Sequence, residues 1–314
     1  MGMSEIFVAG LLLTGSPNGQ VALIQTGEAP AEDQQEPWQP GGGLQQIPLW
    51  PDELEIARPE VTGPETARRR RMTAIENVTR PTMTIYPPRG HNVGAALMVF
   101  PGGGYQVLAI DLEGTEICEW VTLRGITCVL LKYRVPQTWW RAGVQNAPDP
   151  QMALQDAERA MGMLRRRAPS LGIDPHKIGV LGFSAGGHLV TAISNATTRH
   201  YGWVDNADRL STRPDFAVVL YPGHLWSGRN MDLYPFNPIS RGCPPTFILH
   251  AQDDPIDDVR HSTVYFLALR EAEVPVEMHI YAEGGHGFGI RQNAQPITHW
   301  PALLEAWLHT IGIL

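Results

Sequence analysis

The stretch Gly182-Phe183-Ser184-Ala185-Gly186-Gly187 separates a largely apolar run, residues 177–181, from a run of small residues, 188–193. The first run predicts a buried strand and the second predicts a helix. Gly-x-Ser-x-Gly at such a joint is typical of a nucleophile elbow, a tight turn that presents a serine hydroxyl at the tip of a sheet. Glycines flank the serine because side chains there would collide with neighbouring elements. Ser184 is therefore the candidate nucleophile.

The rest of the chain alternates predicted strands with predicted helices. Apolar runs bounded by Gly and Pro predict strands over residues 83–86, 95–100, 126–132, 216–221, 246–250 and 276–281. Helical spacing predicts helices over residues 110–124, 150–167, 259–270 and 301–311. This order predicts an α/β fold, with a mostly parallel central sheet and helices on both faces.

The N-terminal part is predicted to differ from the rest. Residues 1–31 read as a signal peptide or a disordered N-terminus, because residues 6–13 are apolar and Ala29-Pro30-Ala31 resembles a cleavage site. Residues 32–80, rich in Pro, Gln, Glu and Gly, predict an irregular arm, and residues 81–314 predict the domain that carries the elbow. We expect a periplasmic or secreted protein, with a cytoplasmic one as the alternative because no Lys or Arg precedes the apolar run. No segment is long enough to span a bilayer.

Composition excludes several classes of partner and site. The net charge of −8 argues against a nucleic-acid partner. The run Arg68-Arg69-Arg70-Arg71 reads as a solvated face or as the counterpart of nearby acids. Cys118 and Cys128 fall in predicted elements and read as buried small hydrophobic residues, and with Cys243 they do not describe a disulfide framework. None of the three has the spacing of a metal ligand.

A serine nucleophile needs a base, and His286 is the best candidate for it. It lies in Gly284-Gly285-His286-Gly287-Phe288-Gly289, directly after the last predicted strand, where flanking glycines let a loop bring the imidazole over the sheet tip. The alternative is a glycine-rich turn that contains a histidine by chance. His188 lies on the elbow helix itself, where it cannot approach the serine at a base's angle. The histidines of later predicted helices fit capping or surface roles: His261, His299 and His309.

The acid that orients the base is expected between the serine and the histidine in the chain. Four aspartates, at 253, 254, 257 and 258, follow the strand predicted over residues 246–250. Asp257 or Asp258 fits the cap of the helix that begins near residue 259. Local chemistry does not decide between Asp253 and Asp254.

The third requirement is a set of donors for an oxyanion. Ala185 supplies the N–H that follows the serine, and Gly102-Gly103-Gly104 follows a buried strand at the place where the second donor is expected. A phosphate-binding role for these glycines is disfavoured, since the P-loop Lys and the G-x-G-x-x-G spacing are both missing.

Together these motifs resemble the bacterial acetyl esterase, acetylxylan esterase and feruloyl esterase branch of the α/β-hydrolases, over about residues 80–314. The matching segments are Pro101-Gly102-Gly103-Gly104-Tyr105, Ile110-Asp111-Leu112-Glu113-Gly114, Lys132-Tyr133-Arg134-Val135-Pro136, residues 174–179, the elbow, Tyr221-Pro222-Gly223, Asp253-Asp254-Pro255 and residues 284–289. One departure is Ile256-Asp257-Asp258, which is acidic where family members usually have a valine-rich turn.

The resemblance implies site residues and a substrate class. It points to Asp254, the aspartate directly before the proline, as the acid, and to Gly103, Gly104 and Ala185 as oxyanion donors. It also implies short acyl groups on a carbohydrate or phenolic alcohol. Four aromatic residues either stack on such an alcohol or only anchor irregular loops: Tyr105, Trp139, Trp140 and Trp226.

These expectations combine into a serine carboxylesterase with catalytic Ser184, Asp254 and His286, an acyl-enzyme intermediate, and no metal or organic cofactor. Its partner would be a small-molecule or carbohydrate ester, and the sequence makes no prediction of oligomeric state. The first alternative is a serine peptidase of the prolyl oligopeptidase type, which shares this core but normally carries a propeller domain. The second is a non-catalytic binding protein on the same fold.

Overall fold

A computed structural model describes residues 33–34, 37–137, 149–234 and 238–314. The strands are β1 (Asp33–Gln34), β2 (Gln46–Pro48), β3 (Thr66–Arg69), β4 (Thr73–Glu76), β5 (Thr82–Tyr86), β6 (Ala96–Phe100), β7 (Val107–Ala109), β8 (Thr127–Lys132), β9 (Ile178–Phe183), β10 (Ala217–Leu220), β11 (Thr246–Ala251) and β12 (Val276–Tyr281). The α-helices are α1 (Glu116–Thr122), α2 (Gln151–Arg167), α3 (Ala185–Asn195), α4 (Arg260–Glu271) and α5 (Trp300–Thr310). None of these helices is both long and apolar enough to cross a membrane.

Among the described residues, eight strands form the central sheet, in the order β12-β11-β10-β9-β6-β8-β5-β2. The six strands from β12 to β8 are parallel, and β5 and β2 add an antiparallel edge. Every residue of β6, β8, β9, β10 and β11 is buried, as expected for strands that are covered on both faces. The α/β fold predicted from the sequence is confirmed.

Helices pack in two groups against this sheet. Helices α2 and α3 contact each other, and α3 packs on β9 and β10. Helices α1 and α5 meet through the rings of Trp120 and Trp300, whose centroids lie 6.3 Å apart. The helix predicted over residues 110–124 begins as a π-helical turn, Asp111–Thr115, before it continues as α1.

The segment predicted to be an irregular arm contains strands instead. Strand β2 pairs with β5 at the edge of the central sheet, and a second, antiparallel sheet has the order β1-β3-β4-β7. The arginine run hid β3, because the apolar alternation of a strand is lost when its outward residues are charged. Arg68 of this run lies 3.4 Å from Glu76 on the neighbouring strand, the local acid partner that was one of the two expectations. Residues 1–31 lie outside the described residues.

A buried ion pair joins this N-terminal part to α2. The side chains of Arg134 and Asp156 are both fully buried, and the guanidinium approaches the carboxylate to 2.8 Å. Trp50 donates its indole N–H to the same carboxylate at 2.7 Å, and Arg134 also donates to the carbonyl of Ala57. Trp50 thus anchors the N-terminal segment to the domain.

Cys118 and Cys128 form a disulfide, with their Cα atoms 5.2 Å apart. Both are fully buried, as expected, but the prediction that they are unpaired hydrophobic residues is wrong. Helix α1 runs directly into β8, and the tight reversal at Gly125 brings the two side chains face to face. The two cysteines are ten residues apart, and this spacing does not indicate a disulfide. The pairing depends on how α1 packs against β8, the strand that follows it.

The parallel strands carry the candidate site residues to one edge of the sheet. The glycine run 102–104 follows β6, Ser184 follows β9, Asp254 follows β11 and His286 follows β12. The carboxyl ends of parallel strands are where open α/β sheets bind ligands.

Candidate active site

Ser184 occupies a strained turn between β9 and α3. Its φ of 52° and ψ of −119° are far from both the helical and the extended regions. A side chain at Gly182 would collide with the carbonyl of Gly186, and one at Gly186 would collide with the carbonyl of Phe100. Both flanking glycines are therefore required, as the sequence pattern indicated. The turn leaves Ser184 9% exposed at the tip of the sheet.

His286 lies beside the serine, on the loop after β12. Its Nε2 is 2.9 Å from Ser184 Oγ, and its Nδ1 is 2.7 Å from Asp254 Oδ2. Gly285 and Gly287 on either side have φ of 62° and 68°, a conformation that favours glycine. Three residues that are distant in the sequence thus form one hydrogen-bonded chain. This is the arrangement of nucleophile, base and orienting acid found in serine hydrolases.

The four aspartates after β11 have different partners, which separates the two that local chemistry left open. Asp254 contacts the imidazole, whereas Asp253 accepts hydrogen bonds from the N–H groups of Gly284 and Gly285, each at 2.8 Å. Asp258 accepts the N–H of Arg260 at 2.9 Å, so it is the aspartate that caps α4. Asp257 does not cap the helix, and its carboxylate faces the serine.

Electrostatics favour an ionised Asp254 and a basic His286. Burial would raise the pKa of Asp254, but hydrogen bonds from His250 and His286 outweigh it and hold the pKa well below its usual range. Burial would likewise lower the pKa of His286. The hydrogen bond to Asp254 and the nearby charges of Asp257, Asp254 and Glu113 reverse this and raise the pKa of His286. The imidazole is therefore a stronger base than an ordinary histidine.

The glycine run lies against the elbow. A side chain at Gly102 would come within 2.7 Å of the carbonyl oxygen of Phe183, and one at Gly103 would collide with the carbonyl of Val107. At Gly104, with φ of 61°, an added Cβ would meet no heavy atom within 4 Å, so this residue faces open space. Ala185 is the first residue of α3, where N–H groups have no acceptor within the helix. These are the backbone groups expected to bind an oxyanion.

A buried glutamate supports the glycine run, and the sequence reasoning gave it no role. Glu113 accepts the N–H of Gly102 at 2.8 Å and the hydroxyl of Tyr221 at 2.8 Å. The Tyr221 ring in turn packs edge-on against His286, with centroids 4.9 Å apart. Burial raises the pKa of Glu113, and these hydrogen bonds partly oppose it. In the sequence Glu113 is one of several acidic residues of the helix predicted over residues 110–124, and only its place in the segment 110–114 that carries the resemblance sets it apart.

Of the four aromatic residues proposed for substrate binding, Tyr105 does not fit that role. Its side chain is fully buried, and its hydroxyl lies 2.9 Å from Nδ1 of His188. Tyr105 follows the glycine run, but its side chain points into the protein interior. We therefore assign it the alternative role, that of anchoring the loop. The same hydrogen bond occupies Nδ1 of His188, and the Ser184 hydroxyl is hydrogen-bonded to His286 instead.

Trp226 lies on the loop after β10, and its placement leaves one ring face covered. The Arg260 guanidinium sits 3.7 Å from the ring centroid, and the indole N–H donates to the carbonyl of Asn230. Stacking of Trp226 on a substrate stays a prediction. Trp139 and Trp140 lie outside the described residues. In the described ranges, no group of three or more His, Cys, Asp or Glu side chains is placed to hold a metal ion.

Comparison with known proteins places the chain in a family. The family model described as the prolyl oligopeptidase family matches residues 137–311, more than half of the 314 residues. The chain belongs to this family. The matched region contains the elbow, the aspartate loop after β11 and the histidine loop after β12.

Among the relatives of this prolyl oligopeptidase family member are proteins named as esterases. It is 29% identical over 219 residues to an acetylxylan esterase from Xylanibacter ruminicola, covering 62% of this chain and 41% of that protein. It is 24% identical over 253 residues to an ethyl acetate hydrolase from Pseudomonas putida, covering 69% of this chain and 74% of that protein. The chain thus spans about two fifths of the length of the first of these relatives.

A solved structure gives a match over most of the family member's length. An acetyl ester-xyloside bifunctional hydrolase from Caldicellulosiruptor lactoaceticus superposes with a TM-score of 0.68 at 30% sequence identity. The match covers 86% of this chain and 97% of that protein. These comparisons confirm the α/β-hydrolase fold and the resemblance to acetyl and acetylxylan esterases.

Proposed function

We propose that the protein is a serine carboxylesterase that hydrolyses short-chain acyl esters, above all acetyl esters, of a carbohydrate or phenolic alcohol. The observation that carries the proposal is the chain of hydrogen bonds from Ser184 Oγ to His286 Nε2, at 2.9 Å, and from His286 Nδ1 to Asp254, at 2.7 Å. The names of the esterase relatives support the choice of an ester over other acyl compounds.

Acylation begins with a proton transfer. His286 Nε2 accepts the proton of the Ser184 hydroxyl while Oγ bonds to the ester carbonyl carbon, and the carbonyl oxygen becomes an oxyanion. The N–H groups of Gly103, Gly104 and Ala185 stabilise that oxyanion, and losing one such donor typically costs about 10²–10³ in rate. His286 then gives the proton to the leaving alcohol oxygen as the carbon–oxygen bond breaks, which leaves an acyl-Ser184.

Deacylation repeats these steps with water. His286 takes a proton from the water, whose oxygen attacks the acyl carbonyl, and the proton returns to Ser184 Oγ as the carboxylic acid leaves. Asp254 keeps its charge throughout. It fixes the orientation of the imidazole through Nδ1 and stabilises the imidazolium that forms in each half-reaction.

A burst experiment tests this mechanism. With 4-nitrophenyl acetate in excess, we expect one equivalent of nitrophenolate per active site in the first phase, and a mass increase of one acetyl group on the peptide that contains Ser184. Ser184→Ala should show neither the burst nor the adduct. Hydrolysis by Ser184→Ala at most of the wild-type rate would contradict the proposal.

The acyl preference is tested separately. A series of 4-nitrophenyl esters should show kcat/KM highest for acetate, and a preference for octanoate would exclude a short-acyl esterase. Acetylated xylan, feruloyl sugars and simple acetates then distinguish the class of alcohol.

The family match favours one other candidate function, a serine peptidase, because the family takes its name from prolyl oligopeptidase. Both activities use the same three side chains. Hydrolysis of a proline-containing peptide amide together with no hydrolysis of 4-nitrophenyl acetate would reverse the ranking.

We also propose that the protein works in an oxidising compartment, the periplasm or the extracellular space. The disulfide between Cys118 and Cys128 supports this, since such bonds persist where thiols are not kept reduced. The mass of the native protein, measured with and without thiol alkylation, would show the pairing and any removal of the first residues. Two alkylated thiols at these positions would argue for the cytoplasm.

A further inference from the structure

A second carboxylate, that of Asp257, lies close to the proposed nucleophile. Asp257 Oδ2 lies 3.5 Å from Ser184 Oγ and 3.9 Å from His286 Nε2. The Asp257 side chain is 13% exposed, so it still reaches the open part of the site. The imidazole is therefore flanked by two carboxylates, one at each ring nitrogen.

The loop after β11 holds Asp257 in this position. Its backbone N–H donates to Asp254 at 3.0 Å, and its carbonyl accepts from Nε2 of the buried His250 at 2.9 Å. A Cβ at Gly223 would come within 2.5 Å of Asp257 Oδ1, so the carboxylate packs directly against the backbone of Gly223. The carboxylate is a built part of the site rather than a loose surface group.

Nothing in the proposed triad uses this carboxylate. The serine hydroxyl is already directed to His286 at 2.9 Å, and the capping role of the loop belongs to Asp258. Within the part of the chain that the structure describes, Asp257 accepts no side-chain hydrogen bond shorter than the 3.5 Å contact to Ser184, which is long for a strong bond. The carboxylate therefore has free acceptor positions at the open part of the site, where a bound substrate can supply a donor.

The reaction geometry shows which part of the substrate meets Asp257. His286 Nε2 must reach the leaving oxygen to protonate it, so the alcohol side of the ester lies next to Nε2 and within reach of the Asp257 carboxylate. A hydroxyl on the carbon beside the esterified carbon is three bonds from the leaving oxygen, and it belongs to the same alcohol part of the ester.

We propose that Asp257 determines alcohol specificity by accepting a hydrogen bond from a free hydroxyl on the carbon next to the esterified carbon. The site then prefers partially acylated sugars and polyols over esters of simple alcohols, and it disfavours alcohols that carry an anionic group. This role rests on the proposed esterase activity.

Three small acetates isolate the hydroxyl. 2-Hydroxyethyl acetate carries the donor, 2-methoxyethyl acetate withdraws electrons similarly but cannot donate, and propyl acetate has a methyl group of similar size in its place. Because a hydrogen bond to a charged group is lost, we expect wild-type kcat/KM to be about 10- to 100-fold higher for the hydroxyethyl ester than for either analogue.

Variants assign the preference to Asp257. In Asp257→Val the ratio between the hydroxyethyl ester and its analogues should fall to near unity, and in Asp257→Asn, which keeps a neutral acceptor, it should be intermediate. Asp258→Val is the matched control and should keep the wild-type ratio. Asp257 also acts on the basicity of His286, but that effect changes all three rates alike and leaves the ratio untouched.

The outcomes separate the two proposals. If the wild type hydrolyses 4-nitrophenyl acetate but shows no preference for the hydroxyethyl ester, or if Asp257→Val keeps the preference, the role of Asp257 is wrong and the esterase stands. If the wild type hydrolyses neither 4-nitrophenyl acetate nor any of the three small acetates, the proposed esterase activity is wrong, and so is the role of Asp257 that rests on it.

Discussion

Asp156 and Asp254 are both fully buried carboxylates beside a basic side chain. The two pairs differ in what the basic partner contacts besides the carboxylate. Asp156 faces Arg134, whose guanidinium also donates to the carbonyls of Ala57 and Met152. Asp254 faces His286, which is 15% exposed and turns its second nitrogen to a serine.

The chemistry of the basic partner explains why we assign a structural role to the Asp156 pair and propose a catalytic role for the Asp254 pair. Arginine keeps its charge at any ordinary pH, and a saturated ion pair can only hold elements together. An imidazole gains and loses a proton near neutrality, so the carboxylate behind it controls a base. Burial raises the pKa of Asp156, with Arg134 and Trp50 opposing it, whereas the pKa of Asp254 is held below its usual range.

The largest effect is expected from Asp254→Asn. The amide cannot stabilise the imidazolium, and it favours the wrong tautomer of His286, so kcat for 4-nitrophenyl acetate should fall about 10³–10⁴-fold. The free energy of unfolding in urea should change far less than the activation free energy. A variant that keeps wild-type kcat would remove Asp254 from the mechanism.

The opposite pattern is expected from Asp156→Ala. Removing one partner leaves the Arg134 charge buried and unpaired, which should cost about 3–5 kcal/mol of unfolding free energy. The kcat of the folded fraction should stay close to wild type. The double variant Arg134→Met, Asp156→Leu is the control, because it removes both charges and should recover much of the loss.

A smaller effect is expected from Asp253→Ala, which keeps the triad but removes the acceptor for Gly284 and Gly285. Loosening of the histidine loop should lower kcat/KM by about 10-fold, consistent with the loss of one or two exposed hydrogen bonds. Asp253→Asn keeps a neutral acceptor and should lie between. A loss as large as that of Asp254→Asn would mean that the two aspartates share the orienting role.

The smallest effect is expected in the pH profile of kcat/KM, which also distinguishes the two pairs. In the proposed mechanism His286 acts as a base only when neutral, and its pKa is raised, so kcat/KM should fall as the pH drops through a value above the ordinary histidine pKa of about 6.5. In Asp254→Asn the residual activity should show this acid limb at lower pH, because the carboxylate no longer favours the imidazolium. Asp156→Ala should leave the limb in place. If the acid limb of kcat/KM lies at the same pH in Asp254→Asn as in the wild type, the proposed pairing of Asp254 with His286 is wrong.

The sequence was informative where the constraint is local. Gly182 is dictated by a contact with Gly186, four residues away, and the strand and helix that flank the elbow follow from their own periodicity. Gly186 is constrained by the carbonyl of Phe100 on another strand, and only the Gly-x-Ser-x-Gly motif pointed to it. The choice of Asp254 over Asp253 is different. It depends on hydrogen bonds to residues 284–286, some thirty positions away, and only the resemblance pointed to it.

Three features escaped prediction because each depends on how separate elements pack together, which the periodicity of the sequence does not show. The small antiparallel sheet consists of strands of two to four residues, and its strand β3 ends in Arg68 and Arg69, so period-two hydrophobicity is too short to detect. The disulfide depends on how α1 packs on β8. Glu113 gains its role from Gly102 and Tyr221, which lie on other elements of the sheet edge.

The most direct test of the triad is covalent labelling of the folded protein with an alkyl fluorophosphonate, followed by peptide mapping. We expect one adduct per chain, on Ser184, with esterase activity lost in proportion, and at least a hundredfold slower labelling in His286→Ala, since an unactivated serine is a poor nucleophile. Labelling of Ser184 at the same rate in His286→Ala, or loss of activity with the adduct on another residue, would contradict it.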